Sequence, residues 1–138
     1  MSWQYKRKKF SDPGGYYGFI YKIIDDQGKW YIGKKAFTHK KKTKLSIKAR
    51  IGTRKRFNIS YKDSGWQDYW SSCIPLQDYI KNKGNTLGFQ KIILKLCKDR
   101  ASLSYWEVHY LCENKAIFDG NSWNSNVSGK FFRGRIHE

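Results

Sequence analysis

The sequence predicts an α+β protein of a single domain, a small three-stranded antiparallel sheet flanked by helices. Three observations predict it. Two runs rich in aromatic and β-branched residues lie on either side of a tight turn between Tyr16 and Gly33. A third such run occupies Phe89–Cys97, and two segments, near Pro75 and after Ser102, carry helical apolar spacing. A chain of 138 residues suits one compact domain, and its 17% aromatics mean a core built largely from rings.

Residues 1–15 form a basic N-terminal arm that ends in the turn cluster Asp12-Pro13-Gly14-Gly15, and the domain proper spans 16–138. Tyr16 to Ile24 is the first strand and Lys29 to Gly33 the returning one. A loop of Asp26-Gln27-Gly28 puts Gly28 in the left-handed position of a three-residue hairpin. An odd loop count places Tyr21 and Tyr31 on one face of the sheet, because side chains alternate with period two, whereas a two-residue turn would put them on opposite faces. If the second strand continues, Lys35 shares that face.

From about 38 to 62 the chain carries a basic insertion with few apolar anchors; Leu45 to Arg50 is its only helical prospect. A helix begins near Ile74-Pro75 with a serine available as cap, presents Leu76, Tyr79 and Ile80, and stops at Gly84. Ser102 to Asn114 reads as a buried helix, and the Gly-, Ser- and Asn-rich tail from Phe118 as extended or irregular. Trp66, Tyr69 and Trp70 serve core packing before base stacking.

Charge narrows the function. There are 28 Lys and Arg against 11 Asp and Glu, a net +17. Like charges repel across a compact surface, so the excess does not serve folding, and acidic residues would give solubility equally well. A polyanionic partner follows, nucleic acid first. Cys73, Cys97 and Cys112 are odd in number and form no C-x-x-C pair, which argues against a disulfide framework and a structural zinc site. His39, His109 and His137 share no metal-binding spacing. No segment approaches the roughly 18 apolar residues of a membrane span, and the start MSWQYKRKKF has no apolar signal-peptide run. A cytoplasmic, membrane-free protein is the expectation.

One carboxylate stands out. The only glutamates are Glu107, Glu113 and Glu138, and Glu107 falls inside the apolar arc of Leu103, Trp106, Tyr110 and Leu111. A carboxylate facing a core requires a cation or several donors. A lysine or arginine would make it a structural ion pair; a hard divalent ion, which needs only one or two carboxylates, would make it functional.

The hairpin GFIYKIIDDQGKWYIGKK resembles the signature of the GIY-YIG nucleases. Tyr21, Tyr31 and Gly33 match it residue by residue; Phe19 stands where the pattern has its first glycine, with Gly18 one place earlier. The order that follows is similar too: a helix, the strand Phe89–Cys97, a helix bearing one glutamate, Glu107, and the asparagine Asn124, with Asn126 as its rival. The resemblance covers about residues 17 to 126 and is nearest to small phage-type members like freestanding homing endonucleases. It implies a metal-dependent DNA endonuclease in which Glu107 holds Mg²⁺ or Mn²⁺ and Tyr21 orients or deprotonates the attacking water. In the same scheme Tyr31 assists, Lys35 helps, and Gly33 and Asn124 shape the site. A tyrosine near its ordinary value of about 10 is useful at neutral pH only if positive charge lowers it. The family's arginine after the second motif has no counterpart before Arg50; Arg50, Arg54 and Arg56 compete for the role, Arg50 first.

The partner implied is double-stranded DNA, with a homodimer as a further expectation and, for a phage-encoded chain, the host cytoplasm as its location. Lys34, Lys40, Lys41, Lys42, Lys44, Lys48, Arg54, Lys55 and Arg56 would track the phosphate backbone. Two rival readings are a non-catalytic basic nucleic-acid-binding relative, and a nuclease of another fold holding metal on Asp25 and Asp26.

Overall fold

The structure, a computed structural model, describes residues 1–138. The chain runs through β1 (Gln4–Tyr5), β2 (Lys8–Lys9), β3 (Gly18–Ile24), β4 (Trp30–Ala36), β5 (Thr38–Lys44), α1 (Ile47–Arg50), β6 (Phe57–Asp63), α2 (Ile74–Lys83), β7 (Gln90–Cys97), α3 (Arg100–Glu113), β8 (Asn126–Val127) and β9 (Phe131–Phe132). It is a mixed α+β domain, but its main sheet has five strands rather than three, in the order β2-β1-β7-β3-β4. The antiparallel trio β7-β3-β4 is the sheet read from the sequence.

The two extra strands correct the N-terminal arm. β1 pairs parallel with β7, with Gln4 opposite Ile92, and folds back on β2 through Lys6 and Arg7, both in the left-handed region. Trp3 is 1% exposed and donates from Nε1 to the Trp66 carbonyl at 2.6 Å. The cations that suggest a free arm occupy the turn and the outer strand, while Trp3, Tyr5 and Phe10 anchor the segment in the core. Truncating a large buried ring costs about 3–5 kcal/mol. Trp3→Ala should therefore lower stability by about that amount in chemical denaturation, and an unchanged midpoint would restore the arm.

The β3–β4 hairpin pairs Ile24 with Trp30, and the Asp25 amide donates to the Lys29 carbonyl. Gly28, at φ 83°, is the left-handed third loop residue. Strand β4 runs to Ala36, so Lys35 belongs to it. α2 starts at Ile74 on Cys73 rather than on a serine cap: the buried Ser71, at φ 80°, spends its hydroxyl accepting from the Cys73 amide. Asp99 caps α3 by accepting from the Ser102 amide at 2.7 Å.

Two cores sandwich the sheet. On one face Trp3, Phe19, Tyr21, Ile23, Phe37, Trp66, Leu76, Phe89 and Ile93 pack together, six of these nine being rings. On the other, Ile20, Trp30 and Ile32 meet Leu103 and Leu111 of α3, with Ile117 and Val127 from the tail. No helix is long and apolar enough to cross a membrane.

The basic insertion is no irregular loop. Strands β5 and β6 form a separate two-stranded antiparallel ribbon of seven residue pairs, every one of them exposed. Its root is pinned where the Ser64 amide and hydroxyl bond the Phe37 and Ala36 carbonyls, and its tip carries α1, capped by Ser46. Lys40, Lys42 and Lys44 pair with Tyr61, Ile59 and Phe57 on one face; His39, Lys41 and Thr43 pair with Lys62, Ser60 and Asn58 on the other.

Candidate active site

The register sets Tyr21 opposite Gly33, Ile23 opposite Tyr31 and Phe19 opposite Lys35, so Tyr21, Tyr31 and Lys35 share one face. The rings of Tyr21 and Tyr31 lie 6.1 Å apart, and Tyr69 meets Tyr21 edge-on at 5.9 Å. Lys35 extends its Nζ over the Tyr69 ring at 4.1 Å. Gly33 makes this grouping possible. A Cβ there would stand 2.5 Å from the Tyr21 hydroxyl oxygen and 2.9 Å from Cε1 of Tyr31. Tyr21 thus fills the space a side chain at 33 would take. Tyr69, expected from the sequence to serve packing, does pack against this core; its contact with Tyr21 spans 48 positions (69 minus 21) and has no local signal.

Glu107 reaches the same strand from the other side. On α3 it sits between Leu103 and Leu111, both buried, with its own side chain half-buried. Glu113 pairs with His109 at 3.0 Å and Glu138 pairs with Lys115, but Glu107 has no cation within ion-pair distance. Burial pushes its carboxyl above the ordinary range, while the charge and backbone amide of Lys34 pull it partly back. Lys34 itself, exposed on β4, donates from Nζ to the Ser104 hydroxyl at 3.0 Å. Tyr31, Glu107, Ser72, Cys73 and Asn124 are among the residues lining one cavity of about 500 Å³. Tyr21 is not among them; at 1% exposure it stands behind Tyr31.

The free edge of β4 is closed by the tail. Asn124 accepts from the Ile32 amide at 3.0 Å and donates to the Ile32 carbonyl at 2.8 Å, replacing a neighbouring strand. Arg133 holds Asn124 in turn: its Nε and Nη2 donate to the Asn124 carbonyl, Nη2 also reaches the Ala116 and Ser122 carbonyls, and Nη1 donates to the Asp119 carbonyl. Sequence reading missed Arg133, an isolated cation in a tail read as irregular. Asn126 instead accepts from the Gly129 amide and closes a turn.

The electrostatics differ from expectation in one respect. The cations do not lower the tyrosines. Burial, with Tyr31, Tyr69 and Glu107 nearby, holds Tyr21 well above its usual value, and burial pushes Tyr31 up to about 12 against a counter-pull from the Ser72 hydroxyl. Both are neutral phenols at neutral pH. Lys40, Lys41, Lys42 and Lys44 lie along the ribbon, with Lys48, Arg50, Arg54, Lys55 and Arg56 on α1 and the tip beyond it. Seven strand residues span about 20 Å. Arg50 is half-buried, Arg54 and Arg56 are exposed, and none of the three lines the cavity of Tyr31 and Glu107. Lys34 and Lys35 are the predicted cations that do lie at the site.

Asp25 and Asp26 are accounted for elsewhere. Asp25 accepts from the Gln27 and Lys29 amides and from Trp123 Nε1, while Asp26 accepts from the Tyr79 hydroxyl and pairs with Lys83, which holds it down to about 2. That removes the reading in which these two hold a metal. No group of three His, Cys, Asp or Glu side chains could hold a metal ion, so a transition-metal centre of protein ligands does not fit. A hard ion that keeps most of its water and takes one carboxylate does fit Glu107, which is unpaired and faces an open cavity.

Residues 3–133 match the family model described as "Putative endonuclease segE, GIY-YIG domain". No curated protein and no solved structure matches the chain.

Proposed function

The chain belongs to the segE GIY-YIG endonuclease-domain family, and from that premise we propose that it is a divalent-metal-dependent endonuclease acting on double-stranded DNA. The observation that carries this reading is Glu107, the one glutamate with no basic side chain within ion-pair distance, opening onto a cavity it shares with Tyr31.

Glu107 would hold Mg²⁺ or Mn²⁺, and the ion, when bound, supplies the positive charge that a phosphate and its leaving oxygen need. The chain's own residues do the rest. Tyr31, which lines the cavity, orients the attacking water through its hydroxyl. Tyr21, locked behind it by Gly33, fixes the ring pair in place, and Tyr69 with Lys35 braces Tyr21 from the far side. Lys34, beside Glu107 on β4, takes the part of the family's arginine and meets charge on the phosphate oxygens. Asn124 and Arg133 keep β4 straight at Ile32, between Tyr31 and Gly33.

Purified protein incubated with supercoiled plasmid should produce nicked or linear DNA with Mg²⁺ and none with chelator. Tyr31→Phe should slow this by about a hundredfold or more, the typical range for a lost proton-handling group, with Tyr21→Phe affected less. A near-native Tyr31→Phe beside an inactive Tyr21→Phe would reverse the two roles. The lack of an arginine at the cavity favours a second reading, a non-catalytic relative; salt-sensitive binding without cleavage in Mg²⁺ or Mn²⁺ would establish it.

A further inference from the structure

We propose that the β5–β6 ribbon is a groove reader, seating its face of Lys40, Lys42, Lys44, Phe57, Ile59 and Tyr61 in the major groove of duplex DNA. The choice of DNA rests on the nuclease reading above; the ribbon's own structure decides the rest. Along β6 the residues alternate apolar and polar, the pattern of a strand with one covered face. Yet Phe57, Ile59 and Tyr61 are 44%, 49% and 69% exposed. Nothing in the chain covers them, and a two-stranded hairpin alone is marginal in water. The ribbon is built to be completed by a partner.

The chemistry of the face says which partner. Lys40, Lys42 and Lys44 stand directly across from Tyr61, Ile59 and Phe57, with the Lys42 amine 5.7 Å from the Phe57 ring centroid. A purely apolar partner would strand three ammonium groups, and a purely ionic one would leave three large apolar side chains in water. A DNA groove offers both surfaces side by side, phosphates on the wall and base edges with thymine methyls on the floor. The β5 column meets the wall and the β6 column the floor. The major groove, about 12 Å wide, admits a two-stranded ribbon on an undeformed duplex, whereas the minor groove, about 6 Å wide, would have to be opened at a cost in bending and unstacking. The opposite face, His39, Lys41, Thr43, Asn58, Ser60 and Lys62, has no large apolar group and stays in solvent. A second copy of this chain is disfavoured, since it would bring three more ammonium groups to the same face with only one carboxylate per copy, Asp63, to meet them. The ribbon begins at Thr38, three residues past Lys35. Its reach of about 20 Å places its contacts up to about six base pairs from the cut.

The test uses the full chain carrying Glu107→Gln and a mixed-sequence duplex three helical turns long, followed by fluorescence anisotropy. Combined Phe57→Ser, Ile59→Ser and Tyr61→Ser should weaken binding by about tenfold or more without changing the dependence of log K on log salt. Combined Lys40→Ala, Lys42→Ala and Lys44→Ala should flatten that dependence by roughly two to three units. Asn58→Ala with Ser60→Ala, on the other face, should leave affinity within about twofold. The serine substitutions could instead unfold the ribbon, so a second measurement leaves it intact: methyl green, a major-groove ligand, should displace the protein and netropsin, a minor-groove ligand, should not. Undiminished binding by the triple serine variant overturns the proposal, as does displacement by netropsin alone. A DNA-free dimer that the serine substitutions abolish gives the face to a second copy and overturns it too. Absence of all duplex binding sinks the nuclease reading itself; plasmid cleavage together with unchanged binding by the serine variant refutes the ribbon alone.

Discussion

Glu107→Gln should abolish Mg²⁺-dependent cleavage, lowering the rate by at least about a thousandfold, while the protein stays folded and binds DNA. The substitution keeps the shape and removes the charge. Because Glu107 has no ion-pair partner, no cation is left stranded, unlike the case of a broken buried pair. The stability change therefore runs opposite to the activity change. The folded carboxyl titrates above its ordinary value of 4.5, so between that value and the folded one the native state holds more protons than the unfolded state. Stability linked to this group is present below 4.5 and is lost as pH rises through the folded value. At neutral pH in chelator the variant should melt no lower than the parent, and the difference should close on acidification. A variant that cuts like the parent would remove Glu107 from the chemistry. A variant that melts well below the parent at neutral pH would reveal a hidden partner for the carboxylate.

Gly33→Ala should lose both stability and activity from one methyl group. The new Cβ would lie 2.5 Å from the Tyr21 hydroxyl oxygen, 2.7 Å from its Cζ and 2.9 Å from the Tyr31 ring. Tyr21 cannot step aside, since Trp3, Phe19 and Tyr69 hold its ring at 5.2, 6.0 and 5.9 Å. Overpacking of this kind costs about 1–3 kcal/mol, read as a lower denaturation midpoint. Displacing a site group by about 1 Å can cost roughly a hundredfold in rate, so cleavage should fall by that order even where the variant is still folded. Tyr21→Phe in the alanine background deletes the nearest clashing atom but leaves Cζ. The double variant should recover part of the lost stability, a coupling absent if the glycine mattered only for backbone flexibility.

The hairpin and its faces were legible because everything they depend on is local. Gly28 and the odd loop fix which residues share a side, and seven register pairs follow from them. Glu107 was visible as an acid in an apolar arc because helical periodicity spans only a few residues. Its freedom from a lysine was not visible, because that depends on which cations fold back towards α3. The same limit explains the tyrosines: a net +17 invites the expectation of lowered pKa values, but the lysines of the insertion lie on a fully exposed ribbon, and burial prevails at Tyr21 and Tyr31. The arginines raise the same difficulty: they are close to the second motif in sequence, yet none of them lines the cavity of Tyr31 and Glu107.

By itself, then, the sequence determined the antiparallel trio of strands, the shared face of Tyr21, Tyr31 and Lys35, and the odd position of Glu107, and left Asn124 and Asn126 as rivals. Only the tertiary structure decided that Trp3 draws the N-terminus into the sheet, that the lysine-rich insertion is a two-faced ribbon, that Arg133 clamps Asn124, and which charges the site feels. The division has one physical cause. Periodicity and turn chemistry act between residues a few bonds apart, whereas burial, parallel pairing and the field at a buried hydroxyl are set by groups that meet only when distant parts of the chain pack.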